Sequence, residues 1–460
     1  MLEKRLLEEL LGIAVSTGAD FAEVFAQQER SGQLRLISGK IESVRDNLLS
    51  GVGIRAFVGT KTYYASTSDT SREGLLRCAA AVAGAVGDAN GQTTLINLTP
   101  DEIKVEHVSY LPGDVETSRK AEILREAADA ASGCDEKITQ VQGVYMDVDR
   151  RFLVANTEGL CREDRKVRTR LAITAVASKD GENQSGFYGP GGGMGIEFFE
   201  KVSPTEAGRR AAKQALTNLS AVYCPAGQMT VAIENGFGGV IFHEACGHSL
   251  EATSVGIGAS QMAGKLGQQI ANPKVTAIDD GTIPHGWGSF SIDDEGNPAS
   301  RTVLIENGIL KNYMIDRLGS RRMGMPMTGN SRRENYTYEP TSRMTNTFID
   351  NGPDKNEDII ASIEYGLYAK EMGGGSVNPL TGEFNFAVKE GYLVRNGKIC
   401  EPVRGASLIG TGAQILQDID MVGQNLATGQ GVCGSSSGSV PTDVGQPLIR
   451  VKKITVGGRS

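Results

Sequence analysis

The chain changes character once, at Tyr223-Cys224-Pro225-Ala226-Gly227. Before this point, segments with helical periodicity alternate with strand-like segments. After it, helical periodicity is scarce, and short apolar segments are separated by Gly, Asn and Asp. Because closely spaced turn residues are typical of antiparallel sheets, we predict an α+β fold class with two parts. These are an N-terminal domain of residues 1–222, built from a sheet and helices, and a β-rich C-terminal domain of residues 223–460, built from a curled antiparallel sheet.

Apolar periodicity predicts the secondary structure of both parts. In the first part we predict helices over Leu2–Val15, Ser71–Val86, Glu116–Ala131 and Thr205–Leu219, and strands over Ala22–Gln28, Gln33–Ser38, Ile41–Arg45, Gly51–Val58, Lys61–Ser66, Thr139–Asp147, Arg151–Asn156 and Val167–Ser178. In the second part we predict helices over Gly238–Ser254 and Lys355–Tyr368, and strands over Thr302–Asn307, Leu310–Asp316, Gly391–Arg395 and Leu448–Val456.

Composition argues against several classes of protein. The 59 glycines among 460 residues exceed the usual share of about 7% and favour a strand-rich chain with tight turns. The net charge of −8 and the lack of a basic run argue against binding of nucleic acid. No apolar run approaches the ~20 residues of a membrane span. Seven scattered cysteines argue against a disulfide framework. We therefore expect a cytoplasmic protein whose partners are neither nucleic acids nor membranes.

The chemistry of the chain is concentrated at His243-Glu244-Ala245-Cys246-Gly247-His248. The sequence contains four histidines, and two of them lie in this hexapeptide, with a carboxylate directly after the first. In zinc hydrolases such a pair of imidazoles binds the metal, and the adjacent Glu is the general base that takes a proton from water. The alternative is a pair of structural histidines on a buried helix.

The spacing of the two histidines demands a distortion of that helix. In the usual zinc motif the offset is four residues, whereas here it is five. On a regular α-helix an offset of five would turn the two rings about 140° apart. One metal can bind both only if the helix is bulged or broken between them. Gly247 stands where this is needed, and a π-type bulge is one possible device.

Two histidines leave at least one further zinc ligand to be found. The candidates are Glu251, Asp279, Asp280, His285 and the cysteines. Cys433 is notable among them, because its small neighbours in Gly431–Gly438 would let the backbone approach a metal closely. The residues alone leave open the alternative of a flexible loop with an incidental thiol. Cys246, inside the motif, is expected to be a small buried apolar residue.

The sequence resembles the TldD/PmbA family of cytoplasmic zinc metalloproteases, and within it the TldD branch. The stretch from His243 to Glu251 matches the HEAxGHxLE signature of that branch. Other matching stretches, in the same order, are Asn218–Ala221, Pro225–Gly227, Ile292–Pro298, Leu304–Lys311, Thr328–Glu334, Arg343–Thr347, Gly373–Gly375, Gly445–Pro447 and Leu448–Gly458. The resemblance is densest from about residue 218 to the end and weaker before it.

This resemblance implies a fold, a metal site and partners. It implies an α+β domain followed by a curled β-rich domain that carries the metal-binding helix. It implies Zn²⁺ held by His243, His248 and Cys433, with Glu244 as catalytic base. It also implies an enclosed active site, a homodimer or a heterodimer with a PmbA/TldE-like subunit, and small or unfolded peptides and proteins as substrates. One departure is Ala252-Thr253, where the family commonly has Gly-Asp; a lost hydrogen bond there would lower the efficiency of the site.

A few further residues are candidates for substrate binding. Arg332 and Arg343 could grip a substrate carboxylate, although structural ion pairs are an equally good interpretation. Gly373, Gly374 and Gly375 could let a peptide add along an exposed backbone edge, with a plain loop as the alternative. The acidic clusters at residues 279–280 and 293–295 are expected to be turns rather than metal sites.

The sequence therefore predicts a zinc-dependent metallopeptidase. An alternative is a non-catalytic subunit that binds peptides and has a structural metal site. A zinc hydrolase acting on other substrates would use the same ligands.

Overall fold

The computed structural model describes residues 2–87, 94–105, 107–377 and 382–459. The first half of the chain forms helices α1 (Lys4–Val15), α2 (Arg72–Val86), α3 (Thr117–Ser132), α4 (Phe198–Lys201) and α5 (Pro204–Ser220). Its strands are β1 (Phe21–Ile37), β2 (Lys40–Val58), β3 (Lys61–Thr67), β4 (Thr99–Asp101), β5 (Ile138–Asn156), β6 (Leu160–Lys179), β7 (Glu182–Tyr188) and β8 (Gly191–Gly192). They form one sheet in the order β3-β2-β1-β5-β6-β4, with β7 and β8 added on β6.

One face of this sheet carries the helices. On β1, Ala22, Val24 and Ala26 belong to the core that the sheet forms with α1 and α2. Further along the same strand, Leu34 and Leu36 belong to the core formed with the alanine-rich helices α3 and α5. Because alternate residues of a strand point to the same face, one strand contributes to both cores.

The opposite face of the sheet contacts the second half of the chain. Glu23 Oε1 accepts a hydrogen bond from Arg333 at 3.0 Å, and Gln27 Oε1 accepts one from the backbone N–H of Tyr336 at 2.9 Å. The Arg333 guanidinium also lies 4.2 Å from the centre of the Phe25 ring. The first half is therefore a helix layer on a sheet, and the second half covers the other face of that sheet.

The second half forms helices α6 (Val240–Ala245), α7 (Ala252–Val255), α8 (Arg317–Met323), α9 (Asn356–Ala361) and α10 (Gly412–Asp418). Its strands are β9 (Val222–Tyr223), β10 (Gly227–Ile233), β11 (Ala277–Asp280), β12 (Arg301–Glu306), β13 (Ile309–Leu310), β14 (Ser331–Arg332), β15 (Thr341–Ser342), β16 (Asn346–Ile349), β17 (Tyr365–Val377), β18 (Glu383–Arg395), β19 (Lys398–Arg404), β20 (Ser407–Thr411), β21 (Ile419–Val422), β22 (Ala427–Ser435), β23 (Gly438–Gln446) and β24 (Ile449–Gly457).

The main sheet of the second half is curled until it closes. Its strands follow the order β17-β10-β24-β20-β18, and β18 pairs again with β17. A second sheet, in the order β13-β12-β11-β16-β23-β22, packs beside it in a shared apolar core. Most pairings are antiparallel, with β10–β17, β16–β23 and β9–β19 as parallel exceptions. Helix α6 contacts strands of both sheets. The predicted fold class, including a curled β-rich part that carries the motif helix, is confirmed.

Several predicted elements differ from those observed. The helix predicted over Lys355–Tyr368 ends at Ala361, and Tyr365 already begins strand β17. This prediction was partly wrong because the apolar residues around Ile363 suit either a helix or a buried strand. The strand predicted over Leu310–Asp316 is also wrong, since only Ile309–Leu310 is strand there.

The structure also merges several short predicted strands into long ones. Strand β1 spans the two predicted segments Ala22–Gln28 and Gln33–Ser38, because residues 29–32 keep their pairing with both β2 and β5. Polar residues in the middle of a strand look like a turn in sequence, but they are stable in a strand that has a neighbour on each side. No helix among the described residues is both long and apolar enough to cross a membrane.

Candidate metal centre

The helix that begins the His-Glu motif ends within it. Helix α6 stops at Ala245, Cys246 adopts φ −134° and ψ −41°, and a 3₁₀ turn spans Gly247–Leu250. This break brings the rings of His243 and His248 together, with centroids 5.0 Å apart and planes at 83°. The predicted distortion is therefore present as a broken helix rather than a π-type bulge.

Gly247 contributes a close contact rather than an unusual dihedral angle. Its φ is not positive. A Cβ added at this position would overlap the sulfur of Met344, which is buried. A larger residue here would therefore have to displace the Met344 side chain, which packs directly on the break in the helix.

Cys433 reaches the two histidines from the hairpin of β22 and β23. The hairpin turns at Ser435–Gly438, where Gly438 has φ +82°. The Cys433 Sγ lies 3.3 Å from His243 Nε2 and 3.3 Å from His248 Nε2. All three ligand atoms lie within 4.8 Å of one another. Cys433 thus lies in a hairpin beside the rings rather than in a loop away from them.

The donor set fits a zinc ion. Zn–N bonds of about 2.0–2.1 Å and Zn–S bonds of about 2.3 Å place the ligand atoms of one tetrahedral site roughly 3.3–3.6 Å apart. A nitrogen and a sulfur on one zinc ion lie at the upper end of this range, so the two nitrogen–sulfur distances of 3.3 Å would lengthen slightly around the ion. Two imidazoles and a thiol are also ligand types that zinc prefers.

The electrostatics of the two imidazoles differ. Burial lowers the pKa of His243 well below its usual value, helped by the nearby His248 and Arg343. A neutral ring is the form that binds a metal. Burial also lowers the pKa of His248, but Glu251 and Cys433 outweigh this effect and hold it well above its usual value. The His248 Nδ1 lies 3.1 Å from Glu251 Oε2 and can donate its proton to that carboxylate. The other ring nitrogen, Nε2, faces Cys433.

Glu244 lies at the edge of this group. Its Oε2 is 3.7 Å from His248 Nε2, and about a quarter of its side chain is exposed. Burial raises its pKa, while His248 pulls it down. The carboxylate is therefore next to the donor nitrogen of His248 and still open to water.

Other residues considered as ligands lie outside the group of three. The Asp279 carboxylate accepts hydrogen bonds from Thr345, Thr347 and Asn330, and Asp280 accepts from the backbone and side chain of Thr282. Glu251 lies behind His248, and Cys246 is fully buried, where burial raises its pKa to about 12. His285 and the other cysteines are also not part of the group.

The two arginines proposed to grip a substrate are buried. Arg332 donates to the carbonyls of Met344 at 2.5 Å and Pro441 at 2.6 Å. Arg343 donates from Nη2 to Cys433 O at 2.6 Å. Its Nη1 donates to Ser437 Oγ at 3.0 Å and Gly438 O at 2.9 Å. These contacts favour the structural interpretation, and substrate binding by either residue stays a prediction.

The three glycines at 373–375 lie in strand β17 and not in a loop. Strand β17 pairs with β18 through register shifts on both sides of Met372. Gly374 and Gly375 are exposed, whereas Gly373 is buried. Contact of this strand with a peptide stays a prediction.

A cleft of 550 Å³ opens beside strand β22. It is lined by residues of both halves of the chain, including Arg170, Phe187, Arg210, Glu371, Met372 and Lys389, and by residues 427–432 of β22. The last of these, Val432, directly precedes Cys433. Successive residues of a strand point to opposite faces, and His243, Glu244, His248 and Cys433 are not among the residues that line the cleft.

Sequence reasoning missed two roles near the ligands. Glu251 was considered as a ligand, and the structure instead places it as a hydrogen-bond partner of His248. The signal was its spacing of three residues from His248, which brings side chains together on a helical turn. Arg343 binds the backbone of Cys433 from 90 residues away, and no local pattern indicates such a contact.

Comparison with known proteins covers nearly the whole chain. Three family profiles match: PmbA/TldA metallopeptidase domain 1 over residues 22–85, the central domain over residues 110–219 and the C-terminal domain over residues 226–458. The metalloprotease TldD homolog of Haemophilus influenzae is 36% identical over 467 residues, which cover 99% of this chain and 97% of the relative. A metalloprotease of Methanothermobacter thermautotrophicus is 34% identical over 440 residues, covering 95% of this chain and 96% of the relative.

Solved structures share the fold. A Thermotoga maritima protein described as a modulator of a DNA gyrase superposes with a TM-score of 0.79 at 24% identity, covering 99% of this chain and 100% of the other. TldE from Thermococcus kodakarensis has a TM-score of 0.78 at 18% identity, covering 98% and 100%. At these identities the likeness concerns the fold. The matched profiles and the full-length relatives together show that the chain belongs to the TldD/PmbA family of metallopeptidases.

Proposed function

We propose that this chain is a zinc-dependent metallopeptidase that hydrolyses peptide bonds in small or unfolded peptides and proteins. The observation that carries the proposal is the meeting of His243 Nε2, His248 Nε2 and Cys433 Sγ beside Glu244. Relatives of nearly the same length that carry the name metalloprotease support it.

In this proposal His243, His248 and Cys433 hold the zinc. When bound, zinc supplies Lewis acidity that polarises a carbonyl and makes water more acidic. The Glu244 carboxylate takes a proton from the attacking water and returns it to the leaving amine. Because burial raises the pKa of Glu244, its carboxylate is a stronger base, and uptake of the proton from water is easier.

The cleft beside β22 supports a peptide as substrate. Its volume of 550 Å³ suits several residues of an extended chain rather than a folded domain. The exposed Gly374 and Gly375 follow Met372, which also lines the cleft, and we keep residues 373–375 as proposed substrate contacts.

The division into domains of residues 1–222 and 223–460, the cytoplasmic location and the dimer are parts of the same proposal. The seven cysteines are all free, as expected in a reducing compartment. The sheet of the first half ends at β8, and the strands of the second half begin at β9. The partner is a second copy or a PmbA/TldE-like subunit, in line with the fold shared with TldE.

Two substitutions test the proposal on the purified chain. Glu244→Ala should keep zinc, measured by elemental analysis, and lose cleavage of an unfolded peptide, since it removes the base and no ligand. Cys433→Ser should lose both zinc and cleavage. Cys246→Ala removes a buried thiol of the same motif that is not a ligand, and it should keep both.

The outcomes separate the alternatives. Full cleavage by Glu244→Ala would remove the role assigned to that carboxylate. Zinc bound without any peptidase activity in the wild-type chain would favour a non-catalytic peptide-binding subunit.

A further inference from the structure

Arg343 connects the two segments that carry the candidate ligands. It is fully buried, at 0% exposure. Three hydrogen bonds from its Nη atoms hold the β22–β23 hairpin, at Cys433 O, Ser437 Oγ and Gly438 O. The hairpin places Cys433, so Arg343 fixes the backbone from which the thiol projects.

Glu251 holds the side chain of His248 in the same way that Arg343 holds the hairpin of Cys433. It is 5% exposed, and its Oε2 lies 3.1 Å from His248 Nδ1. This contact fixes both the rotation of the ring and the nitrogen that carries the proton. In the neutral ring that a metal requires, a proton held on Nδ1 by Glu251 leaves Nε2, the nitrogen facing Cys433, free to bind the metal.

The two residues face each other. Arg343 Nε and Glu251 Oε1 are 3.9 Å apart, opposite in charge and both buried. Neither atom has a hydrogen-bond partner among the residues that the structure describes. In a site shielded from water, such a pair attracts more strongly than it would at the surface.

We propose that Glu251 and Arg343 act as one positioning unit that holds His248 and Cys433 together before a metal binds. His248 and Cys433 are 185 residues apart in sequence, so their meeting depends on contacts between distant segments. The inference rests on the proposed metal site, and it does not depend on peptide cleavage.

The chemistry of arginine is essential to this role. Its planar guanidinium offers five donors in a fixed fork, whereas a lysine ammonium offers three donors on a flexible stem. One side chain can thus bind two stretches of the hairpin and still direct Nε toward Glu251. A lysine would keep the charge but could not make all these contacts at once.

The test measures metal affinity by competition titration of the full-length apoprotein with Zn²⁺. Glu251→Gln and Arg343→Lys should each weaken Zn²⁺ binding by about 10–100-fold, the usual effect of losing a partner that orients a ligand. Arg55→Lys is the matched control, because Arg55 is also fully buried and its ion pairs go to Glu23 and Glu295. It should leave the affinity unchanged even if it lowers the melting temperature.

A double substitution tests whether the two residues act as a unit. If they do, Glu251→Gln with Arg343→Lys should weaken Zn²⁺ binding by less than the product of the two single effects. Independent effects that multiply would overturn the proposal, as would an equal loss of affinity in Arg55→Lys.

Titration with Co²⁺ shows which ligand is disturbed. Glu251→Gln should keep the absorption band from thiolate-to-cobalt charge transfer, because Cys433 is still held. Arg343→Lys should weaken that band. An unchanged band and affinity in Arg343→Lys would refute its role, whereas a wild-type chain that binds neither metal would refute the proposed function itself.

Discussion

At the scale of single residues, the backbone at Cys246 and Gly247 decides whether the motif can bind a metal. An offset of five residues suits one metal only because helix α6 ends between the two histidines. Met344 packs on this break, and Gly247 is the residue that allows it. The meeting of the ligands therefore depends on the packing at Gly247 as well as on their own side chains.

Substitution of Gly247 tests this dependence. In Gly247→Ala the new methyl group overlaps Met344 Sδ, so Met344 or the break in the helix must move. Overpacking of this kind typically costs about 1–3 kcal/mol. We expect the free energy of unfolding to fall by that amount in chemical denaturation, and Zn²⁺ binding to weaken because the two rings turn apart.

Gly434→Ala is the control for that experiment. Gly434 follows Cys433 directly, and a Cβ added there meets nothing within 4 Å. Stability and Zn²⁺ affinity should both stay close to those of the wild type. If Gly247→Ala behaves like Gly434→Ala, the close contact with Met344 is not important for the site.

The residue types of the site could be predicted from the sequence, but the residues that hold them in place could not. His243, Glu244 and His248 stand in one hexapeptide, and a family resemblance singled out Cys433. The contact between Arg343 and Cys433 O joins segments 90 residues apart. Such a contact depends on how the hairpin packs, which composition and periodicity do not specify.

At the scale of elements, the acidic segment at residues 293–295 joins the two halves of the chain. It forms a turn, as expected from its composition, whereas the same expectation for residues 279–280 was wrong, because they lie in strand β11. Two of its three carboxylates are buried against cations of the first sheet: Asp294 Oδ1 lies 2.9 Å from Lys166 Nζ, and Glu295 pairs with Arg55. The turn therefore serves as an anchor between the halves.

Removal of one charge of this anchor should be costly. Lys166→Met leaves Asp294 buried without its closest cation, and breaking a buried pair in this way costs about 3–5 kcal/mol. We expect that loss in the free energy of unfolding, measured by chemical denaturation. The double variant with Asp294→Asn should recover part of it, because the unpaired charge is then removed.

The comparison variant lies on the same strand. Lys179→Met breaks an exposed pair in which Lys179 Nζ is 4.0 Å from Asp180. Exposed pairs contribute about 0–1 kcal/mol, so stability should barely change. A loss as small in Lys166→Met would show that the buried pair does not anchor the halves.

The same pair gives a pH dependence with a definite sign. Burial lowers the pKa of Lys166 from 10.5 to about 8, despite the attraction of Asp294. Between these values the unfolded chain binds a proton that the folded chain has released. The contribution of Lys166 to the free energy of unfolding therefore rises with pH from about 8 to 10.5. This rise should be absent in Lys166→Met.

Elements whose apolar residues follow a single helical or strand period could be predicted from the sequence. Elements whose structure depends on contacts with distant segments could not. Helix α5 was predicted within one residue at each end, because its apolar face is regular and Ser203 caps its start. The break after α6 follows from packing on Met344, which lies about a hundred residues further on. Strand β17 was partly predicted as helix, because its pairing with β10 and β18 is decided by the curl of the sheet.

At the scale of the whole molecule, the charge of the cleft is opposite to that of the chain. The net charge is −8, yet the cleft beside β22 is lined by the cations Arg170, Arg210, Lys370 and Lys389 against the carboxylates Glu234 and Glu371. Glu371 pairs with Arg210, and Lys370 pairs with Glu390, whereas Arg170 and Lys389 take part in neither pair. Burial lowers the pKa of both side chains. Lys389 Nζ lies 4.5 Å from the centre of the Phe187 ring, so a cation from the second half of the chain contacts an aromatic ring from the first half.

This arrangement predicts a preference for acidic peptides. A carboxylate bound in the cleft would gain the attraction of Arg170 and Lys389 in a partly desolvated place, whereas most of the surface would repel it. Lys389→Gln should raise KM for a peptide containing Asp or Glu roughly two- to fivefold, since a partly exposed ion pair contributes about 0.5–1 kcal/mol. The kcat should stay the same, because Lys389 is not part of the metal site.

Two controls make the measurement specific to the cleft. A peptide of the same length with Asn and Gln in place of Asp and Glu should show no change in KM between the wild type and Lys389→Gln. Lys61→Gln, which removes an exposed lysine of strand β3 outside the cleft, should leave both peptides unaffected. The preference of the wild type for acidic peptides should also shrink as salt is added, because ions screen charges that water can reach.

Equal KM values for acidic and neutral peptides at low salt would show that the positive charge of the cleft does not select the substrate.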